Sequence, residues 1–322
     1  MKKRIICTIS IFVLVVALCS GCSGNPFKIT DSFASYYAEN KEEAGSDLEG
    51  MAADLAVVSD SEATDPNYQS NDYADLLIND SANEIVESYH CFDKLYPASI
   101  TKVMTALVAI KYGNLEDQVK VTDEAVITES GATLCGIKPG DTLTLEQLLY
   151  GLMLPSGNDA GVAIAVHMDG SIEAFADRMN EEAKRLGAVD SHFVNPHGLH
   201  DEDHYTTAYD LYLIFNEAFK YPQFREIIEA KAYTADYING AGESVSKTWK
   251  CSNQFITGER DTPEGVTVLG GKTGTTKAAG YCLIIASKDN ASEGNFISVV
   301  LKSDSRAHLY DNMTNIISKI VK

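Results

Sequence analysis

The chain has too little positive charge for two classes of function. Lysine and arginine together number 26 against 46 aspartates and glutamates in 322 residues, which gives a formal net charge of −20. A nucleic-acid-binding protein needs a basic face, and a polybasic membrane contact needs clustered lysines and arginines. The charge balance therefore argues against nucleic acid as a partner and against a polybasic contact with a membrane surface.

Cysteine is also sparse, and its spacing has no metal-binding pattern. There are seven cysteines, of which two fall in the first 21 residues and a third is Cys22. The remaining four show no Cys-x-x-Cys or comparable metal-ligand spacing. These four are Cys91, Cys135, Cys251 and Cys282. From the residues alone we predict that they form no disulfide and bind no metal, and we expect no cofactor. Cys282 lies in an apolar run, which is typical of a buried small residue.

The apolar run at residues 5–19 is shorter than the roughly 20 residues of a membrane-spanning helix. It follows a basic start at residues 2–4, so residues 1–21 predict a signal for export. Small residues just before Cys22 resemble the bacterial lipoprotein signal, in which that cysteine is lipidated and becomes the new N-terminus. We expect the protein at the outer face of the bacterial cytoplasmic membrane, held by this lipid. The alternative is an ordinary secretory signal and a secreted or periplasmic protein.

The remaining sequence predicts a tether followed by one domain. Residues 22–50 are polar and acidic with little periodicity, as in a linker. The whole chain is 45% hydrophobic and 22% charged, a composition typical of a globular protein. We expect residues 51–322 to form the folded domain. A peripheral strand is expected at 54–60.

Both ends of the domain predict strands, and its middle predicts helices. A hairpin is expected from 73–78 and 84–88, a strand at 118–122, and three strands near the C-terminus at 266–272, 280–287 and 296–302. Residues 118–230 are otherwise mostly helical, and a final helix carries leucine, methionine and isoleucine on one face. These elements predict an α+β fold in which one antiparallel sheet, built from both ends, lies beside a helical subdomain.

Capping residues set the limits of the internal helices. Thr144 and Gln147 form a capping box, and Ser171 begins a later helix that Gly187 ends. Between these helices the stretch 155–159 interrupts the pattern. A further helix begins at Thr207.

A Ser-x-x-Lys motif lies at the start of a predicted helix over 98–112. In a helix Ser99 and Lys102 share one face, so a nucleophile lies beside an amine that can accept its proton. The first helical turn also stabilises negative charge. The motif alone is weak, because Ser244 and Lys247 repeat it.

Two further motifs follow along the chain. Ser-Gly-Asn occupies 156–158 in the break between two helices, and Lys-Thr-Gly occupies 272–274 at the end of a strand. Each is weak alone, since Ser-Gly-Asn also occurs at 23–25. The three motifs in this order within one domain are shared by penicillin-binding proteins and class A β-lactamases.

Around these motifs the sequence resembles the low-molecular-mass penicillin-binding proteins that act as D-alanyl-D-alanine carboxypeptidases. The resemblance runs from about residue 73 to the C-terminus and includes the segments 96–105, 155–160 and 195–199. It implies a β-lactamase/DD-peptidase-like fold, with an antiparallel sheet flanked by helices and a helical subdomain. It also implies peptidoglycan stem peptides as substrates and β-lactams as covalent inhibitors.

The resemblance assigns the reacting groups. Ser99 attacks the carbonyl between two terminal D-alanines to give an acyl-enzyme. Lys102 accepts its proton, which requires a neutral amine and hence a lowered pKa, helped by repulsion from Lys272. Ser156 relays a proton to the departing D-alanine, and Asn158 orients Lys102 and the substrate amide.

The resemblance also assigns the binding groups. Lys272 and Thr273 bind the substrate carboxylate. Gly274 leaves room for the substrate backbone along the strand. The backbone N–H groups of Ser99 and Thr275 form the oxyanion hole.

Two features of the sequence invite other interpretations of the site and the anchor. Many relatives carry a second, β-rich domain and a C-terminal amphipathic anchor. The stretch after Gly274 has room for a hairpin and a helix, so we expect the lipid on Cys22 to replace that anchor.

Four histidines lie in the 190–205 loop together with acidic residues. A metal site there is an alternative to a loop ordered by polar contacts. The histidines are His192, His197, His200 and His204.

Two rival functions share these motifs. A serine β-lactamase has all three, but class A enzymes also use a glutamate for deacylation, and the 192–204 loop has no Glu-x-x-x-Asn arrangement. A non-catalytic lipoprotein that senses wall peptides or β-lactams is the second rival. It would not need the intact nucleophile and lysines.

Overall fold

A computed structural model of the chain describes residues 55–56 and 73–321, and its central element is a five-stranded antiparallel sheet. The strand order is β2-β1-β9-β8-β7, so the N-terminal hairpin pairs with the C-terminal strands. The prediction of a sheet built from both ends is confirmed. Its strands are β1 (Ala74–Asn79), β2 (Glu84–Tyr89), β7 (Val266–Thr276), β8 (Gly280–Asp289) and β9 (Asn295–Ser303).

Both faces of this sheet are covered, because successive side chains of a strand point to opposite faces. Leu283 and Ile285 of β8 pack with helix α8 (Arg306–Ile317), the predicted closing helix. Ile284 between them packs into the larger core under the helical subdomain. The sheet is therefore a rigid base for the residues at its β7 edge.

The helical subdomain follows the predicted caps. Thr144 and Gln147 form both bonds of a capping box, Ser171 caps the helix that Gly187 ends, and Thr207 caps the next. Its helices are α1 (Lys102–Tyr112), α2 (Leu145–Met153), α3 (Asn158–Asp169), α4 (Ile172–Leu186), α5 (Ala208–Phe219) and α6 (Pro222–Glu229).

The prediction of a single sheet is wrong, because a second sheet of four strands lies in the structure. Its order is β3-β4-β5-β6, and β5 and β6 form a hairpin that the sequence analysis did not predict. The missed signal is a Gly-rich turn at 239–242 between two runs with alternating burial. The strands are β3 (Gln118–Lys120), β4 (Thr142–Thr144), β5 (Ala232–Ile238) and β6 (Ser244–Lys250), and the short helix α7 (Gln254–Thr257) follows them.

Two local predictions need correction or lie outside the description. The helix predicted from 98 begins as a 3₁₀ turn, Ala98–Thr101, and becomes α-helical at Lys102. Of the strand expected at 54–60, only Leu55 and Ala56 are described, and neither is in a strand. The predicted export signal, Cys22 and the predicted tether lie outside the described residues. Among the helices that are described, none is long and apolar enough to cross a membrane.

Candidate active site

The turn that carries Ser99 is held in a strained shape by the loop beside it. Ala98 has a φ of 48°, in the left-handed region that costs a side-chain-bearing residue free energy. The loop packs against it at Gly198, where an added Cβ would lie 1.8 Å from the carbonyl oxygen of Ala98. Thr101 Oγ1 donates to that same oxygen at 2.8 Å. Ser99 therefore follows a backbone position that its surroundings fix.

Ser99 and Lys102 are adjacent, as the motif predicts. Lys102 Nζ lies 2.9 Å from Ser99 Oγ, 2.7 Å from Asn158 Oδ1 and 2.6 Å from the carbonyl oxygen of His197. The lysine side chain is fully buried, whereas Ser99 is partly open to the cleft. Three separate segments, the Ser99 turn, the start of α3 and the 195–199 loop, thus meet at one nitrogen.

The surroundings of Lys102 favour its neutral amine. Burial lowers its pKa well below the ordinary value, and the positive charge of Lys272 lowers it further, against an opposing effect of Asp159. A neutral amine has two N–H donors and one lone pair. Asn158 Oδ1 and the His197 carbonyl can only accept, so they take the two N–H groups. The lone pair is left for the hydroxyl proton of Ser99.

Ser156 and Lys272 form a second pair in the same site. Lys272 Nζ lies 3.0 Å from Ser156 Oγ and 2.7 Å from the carbonyl oxygen of Thr273. Burial lowers the pKa of Lys272 to about 7. Because the pKa of Lys102 is pushed down further by this neighbour, the pair can hold one neutral amine and one ammonium together.

The end of β7 lies against the turn that carries Ser99. An added Cβ on Gly274 would lie 2.8 Å from the carbonyl oxygen of Pro97 and 3.0 Å from the backbone nitrogen of Ser99. Glycine was expected here to leave room for the substrate backbone. In the structure a larger residue at this position would instead clash with the turn that carries Ser99. Thr275 follows directly and is exposed at the cleft beside Ser99. Its part in an oxyanion hole stays a prediction.

The histidine-rich loop is ordered by hydrogen bonds. His204 is buried, and its Nδ1 accepts from the backbone N–H of Val194 at 3.1 Å. Its Nε2–H then donates to Thr101 Oγ1 at 2.8 Å, because that hydroxyl already gives its own proton to Ala98. Burial lowers the pKa of His204 to about 3, and the same holds for His197. Both imidazoles are neutral at ordinary pH, and that of His204 supports the Ser99 turn through Thr101.

The other two histidines of this loop have separate partners. His192 Nδ1 lies 2.6 Å from the carbonyl oxygen of Asp203, and His200 packs edge-on against Tyr96. Over residues 55–56 and 73–321, no group of three histidine, cysteine or acidic side chains is placed to hold a metal ion. The four cysteines in the described part are free thiols, and Cys282 is fully buried as expected.

Two residues near the site were not identified from the sequence. Asp159 is buried, and its carboxylate accepts from the backbone N–H groups of Cys135, Gly136 and Ile137 at 2.9, 2.7 and 3.2 Å. Ser252 Oγ lies 3.0 Å from Thr273 Oγ1, beside the predicted carboxylate site. The position of Asp159 directly after Asn158, in the first turn of α3, is a signal for the former. Nothing in the sequence near Ser252 points to the latter.

Comparison with known proteins gives a consistent result. The family model Peptidase_S11, described as D-alanyl-D-alanine carboxypeptidase, matches residues 60–305. D-alanyl-D-alanine carboxypeptidase DacF of Bacillus subtilis (strain 168) is 32% identical over 218 residues, which cover 66% of this chain and 53% of DacF. DacC of Escherichia coli (strain K12) is 30% identical over 70% of this chain and 55% of its own length. The chain thus spans about half the length of these two relatives.

A Streptomyces protein is similar along more of its length. The D-alanyl-D-alanine carboxypeptidase of Streptomyces sp. (strain K15) is 34% identical over 64% of this chain and 72% of its own length. The crystal structure of the Streptomyces K15 DD-transpeptidase superposes with a TM-score of 0.72 at 28% identity, covering 78% of this chain and 97% of that one. The predicted α+β, DD-peptidase-like fold is confirmed.

Proposed function

The chain belongs to the D-alanyl-D-alanine carboxypeptidase family, and from this we propose that it is a serine-type hydrolase that removes the terminal D-alanine from peptidoglycan stem pentapeptides. One observation supports this most directly. Lys102 Nζ, with its lowered pKa, lies 2.9 Å from Ser99 Oγ. The alternatives, a β-lactamase and a wall-peptide sensor, are not favoured by the relatives' names.

The proposed acylation step begins at these two residues, Ser99 and Lys102. Ser99 Oγ bonds to the carbonyl carbon between the two D-alanines while its proton passes to the lone pair of Lys102. The backbone N–H groups of Ser99 and Thr275 stabilise the resulting oxyanion. Ser156 relays the proton to the departing nitrogen, the C–N bond breaks, and D-alanine leaves. An ester on Ser99 remains.

Deacylation runs the same transfers with water as the nucleophile. Water adds to the ester carbonyl and gives a proton to Lys102, which returns it to the Ser99 oxygen as the ester bond breaks. The products are the shortened peptide, with a new terminal carboxylate, and the free enzyme. No cofactor enters this sequence of steps.

The substrate carboxylate binds at Lys272 and Thr273 in this proposal, so recognition depends on the charge of Lys272. That lysine has a pKa of about 7, and only its protonated form attracts a carboxylate. We expect kcat/KM for a free-carboxylate peptide to fall as pH rises above 7, about tenfold per pH unit once the lysine is neutral. The measurement is a pH profile of D-alanine release.

The matched variant for this prediction is Lys272→Arg. A guanidinium keeps its charge to far higher pH, so the alkaline fall of kcat/KM should move upward by more than one pH unit even if the overall rate drops. An alkaline fall at the same pH in both proteins would assign it to another group and contradict the prediction.

The function itself is tested by two measurements: the release of D-alanine from a peptide and the lifetime of the ester formed with penicillin. A pentapeptide ending in two D-alanines should release D-alanine in many turnovers, because the leaving amino acid diffuses away and water reaches the ester. Penicillin should instead give a long-lived ester on Ser99, since its amine stays tethered to the acyl group. Mass spectrometry of the intact protein and an assay of free D-alanine measure both.

Two other results would overturn the proposal. Rapid multiple-turnover penicillin hydrolysis without D-alanine release would indicate a β-lactamase. Stoichiometric penicillin binding without either turnover would indicate a sensor. The similar Streptomyces protein is a DD-transpeptidase, so an amine acceptor is included in the assay. It reports how the acyl group divides between water and the amine.

The site of action is proposed to be outside the cytoplasm, at a membrane to which a lipid on Cys22 holds the protein. The acidic segment after Cys22 would then act as the tether to the domain. Cys22→Ser is expected to move the protein from the membrane fraction to the medium or the soluble periplasmic fraction. An unchanged distribution in cell fractionation would mean that another element anchors it.

A further inference from the structure

The cleft at Ser99 extends away from the proposed carboxylate site. It has a volume of ≈ 580 Å³, and its walls include Ser99, Asn158 and Thr275 but neither Lys272 nor Thr273. Because the terminal carboxylate of the substrate binds at those two residues in the proposed function, the cleft lies on the acyl side of the scissile bond. It is therefore the space for the part of the stem peptide that precedes the two D-alanines.

Two charged side chains of opposite sign line this space. Glu129 belongs to the loop before β4, and Lys277 belongs to the turn between β7 and β8. Both side chains are exposed. Within the part of the chain that the structure describes, neither has an ion-pair partner. Each charge is thus available to a ligand in the cleft.

The Glu129 loop is held at residues 133–137 by contacts with two elements, α3 and β6. The Asp159 carboxylate accepts from its backbone N–H groups, as described above. Trp249 Nε1 donates to the carbonyl oxygen of Cys135 at 2.9 Å, and Lys247 Nζ donates to that of Gly136 at 2.8 Å. The backbone N–H of Asn158 also donates to the carbonyl oxygen of Thr133 at 2.8 Å. The wall that bears Glu129 is thereby tied to the catalytic segment itself.

In a peptide bound along β7, the third residue from the C-terminus would lie near Glu129 and Lys277. β7 is the last strand of its sheet and pairs on one side with β8, so an extended peptide can lie along its other edge. A strand advances about 3.3 Å per residue. With the penultimate D-alanine beside Thr275, the residue before it comes level with 276–277.

We propose that Glu129 and Lys277 form a subsite for the side chain of the residue that precedes the two D-alanines. The subsite selects a side chain that ends in both an ammonium and a carboxylate, as in a diamino-dicarboxylic acid, over one that ends in an ammonium alone. This inference rests on the proposed carboxypeptidase function. Glu129 receives the ammonium and Lys277 the carboxylate.

The test compares three pentapeptides that differ only at this residue: meso-diaminopimelate, L-lysine and Nε-acetyl-L-lysine. For the unaltered protein we expect kcat/KM for D-alanine release to fall in that order, by about two- to fivefold at each step, the range of an ion pair in contact with water. Glu129→Gln should remove the preference for lysine over acetyl-lysine. Lys277→Gln should remove the preference for diaminopimelate over lysine.

Matched variants separate this effect from a general change of charge. Glu124→Gln and Lys120→Gln make the same substitutions at exposed positions that do not line the cleft, and they should leave all three values unchanged. Acylation by a penicillin should also be unaffected in these two control variants.

The outcomes distinguish the subsite from the function on which it rests. Absence of D-alanine release from every peptide by the unaltered protein would overturn the proposed function and the subsite with it. Release at equal kcat/KM from all three peptides would overturn the subsite alone. So would a preference that survives both Glu129→Gln and Lys277→Gln.

Discussion

Ser99→Ala is expected to abolish covalent labelling by a fluorescent penicillin. Ser99 Oγ is the hydroxyl that lies 2.9 Å from Lys102 Nζ, the amine that can take its proton. Ser156 is hydrogen-bonded to Lys272, whose nitrogen also contacts the Thr273 carbonyl oxygen. Labelling is read on a denaturing gel, and the site by peptide mass spectrometry.

Ser244→Ala provides the matched control. Ser244 begins the same Ser-x-x-Lys pattern, but it lies exposed on strand β6. On a strand, residues three apart point to opposite faces, and Lys247 donates to the carbonyl oxygen of Gly136. This variant should be labelled like the unaltered protein. Labelling that survived Ser99→Ala would disprove the assignment of the nucleophile.

The comparison of these two motifs also explains what the sequence could predict of the site. The spacing of Ser99 and Lys102 places both side chains on one face whether the first turn is 3₁₀ or α-helical, so the pair was predictable. The other site residues were predicted from the three motifs, which lie on different elements, through their resemblance to a known family. The local pattern at Ser244 and Lys247 has the same letters, and only the surrounding structure separates it from the first.

Contacts through the backbone could not be predicted in this way. Lys102 donates to the backbone carbonyl of His197, and Asp159 accepts from backbone N–H groups. Every residue type has these backbone groups, so the sequence does not indicate which of them make the contacts. The strain at Ala98 is similar, since it depends on how closely Gly198 approaches. Such features follow from tertiary packing.

The fold was predictable where periodicity and capping were strong. The C-terminal strands, the closing helix and the capping box at Thr144 belong to this class. The β5–β6 hairpin was missed because it exposes many polar side chains. Its core contribution comes from few residues, such as Ala235, Tyr237 and Trp249. A short alternating pattern of this kind is a weak signal beside long neighbouring helices.

Lys102→Met is expected to lower the second-order rate constant of penicillin acylation by about 10²- to 10⁴-fold, the range for loss of a general base. Methionine has a similar length and fits an apolar environment, but it has no lone pair that can take the Ser99 proton at neutral pH. The variant leaves Asn158 Oδ1 and the His197 carbonyl oxygen without the donor that they have now. Thermal unfolding followed by circular dichroism must therefore accompany the kinetics, with Lys120→Met as the control at an exposed position.

Lys102→Arg separates a base from a mere positive charge. A guanidinium can donate to the same two oxygens, but it stays protonated and cannot accept the hydroxyl proton. If Lys102 acts through the neutral amine that burial and Lys272 favour, the arginine variant should lose acylation as severely as the methionine variant. If Lys102 acts only by its charge, arginine should retain most of the rate while methionine does not. Stopped-flow acylation of both folded variants decides between these results, and a nearly intact rate in Lys102→Arg would overturn the assignment of Lys102 as the base.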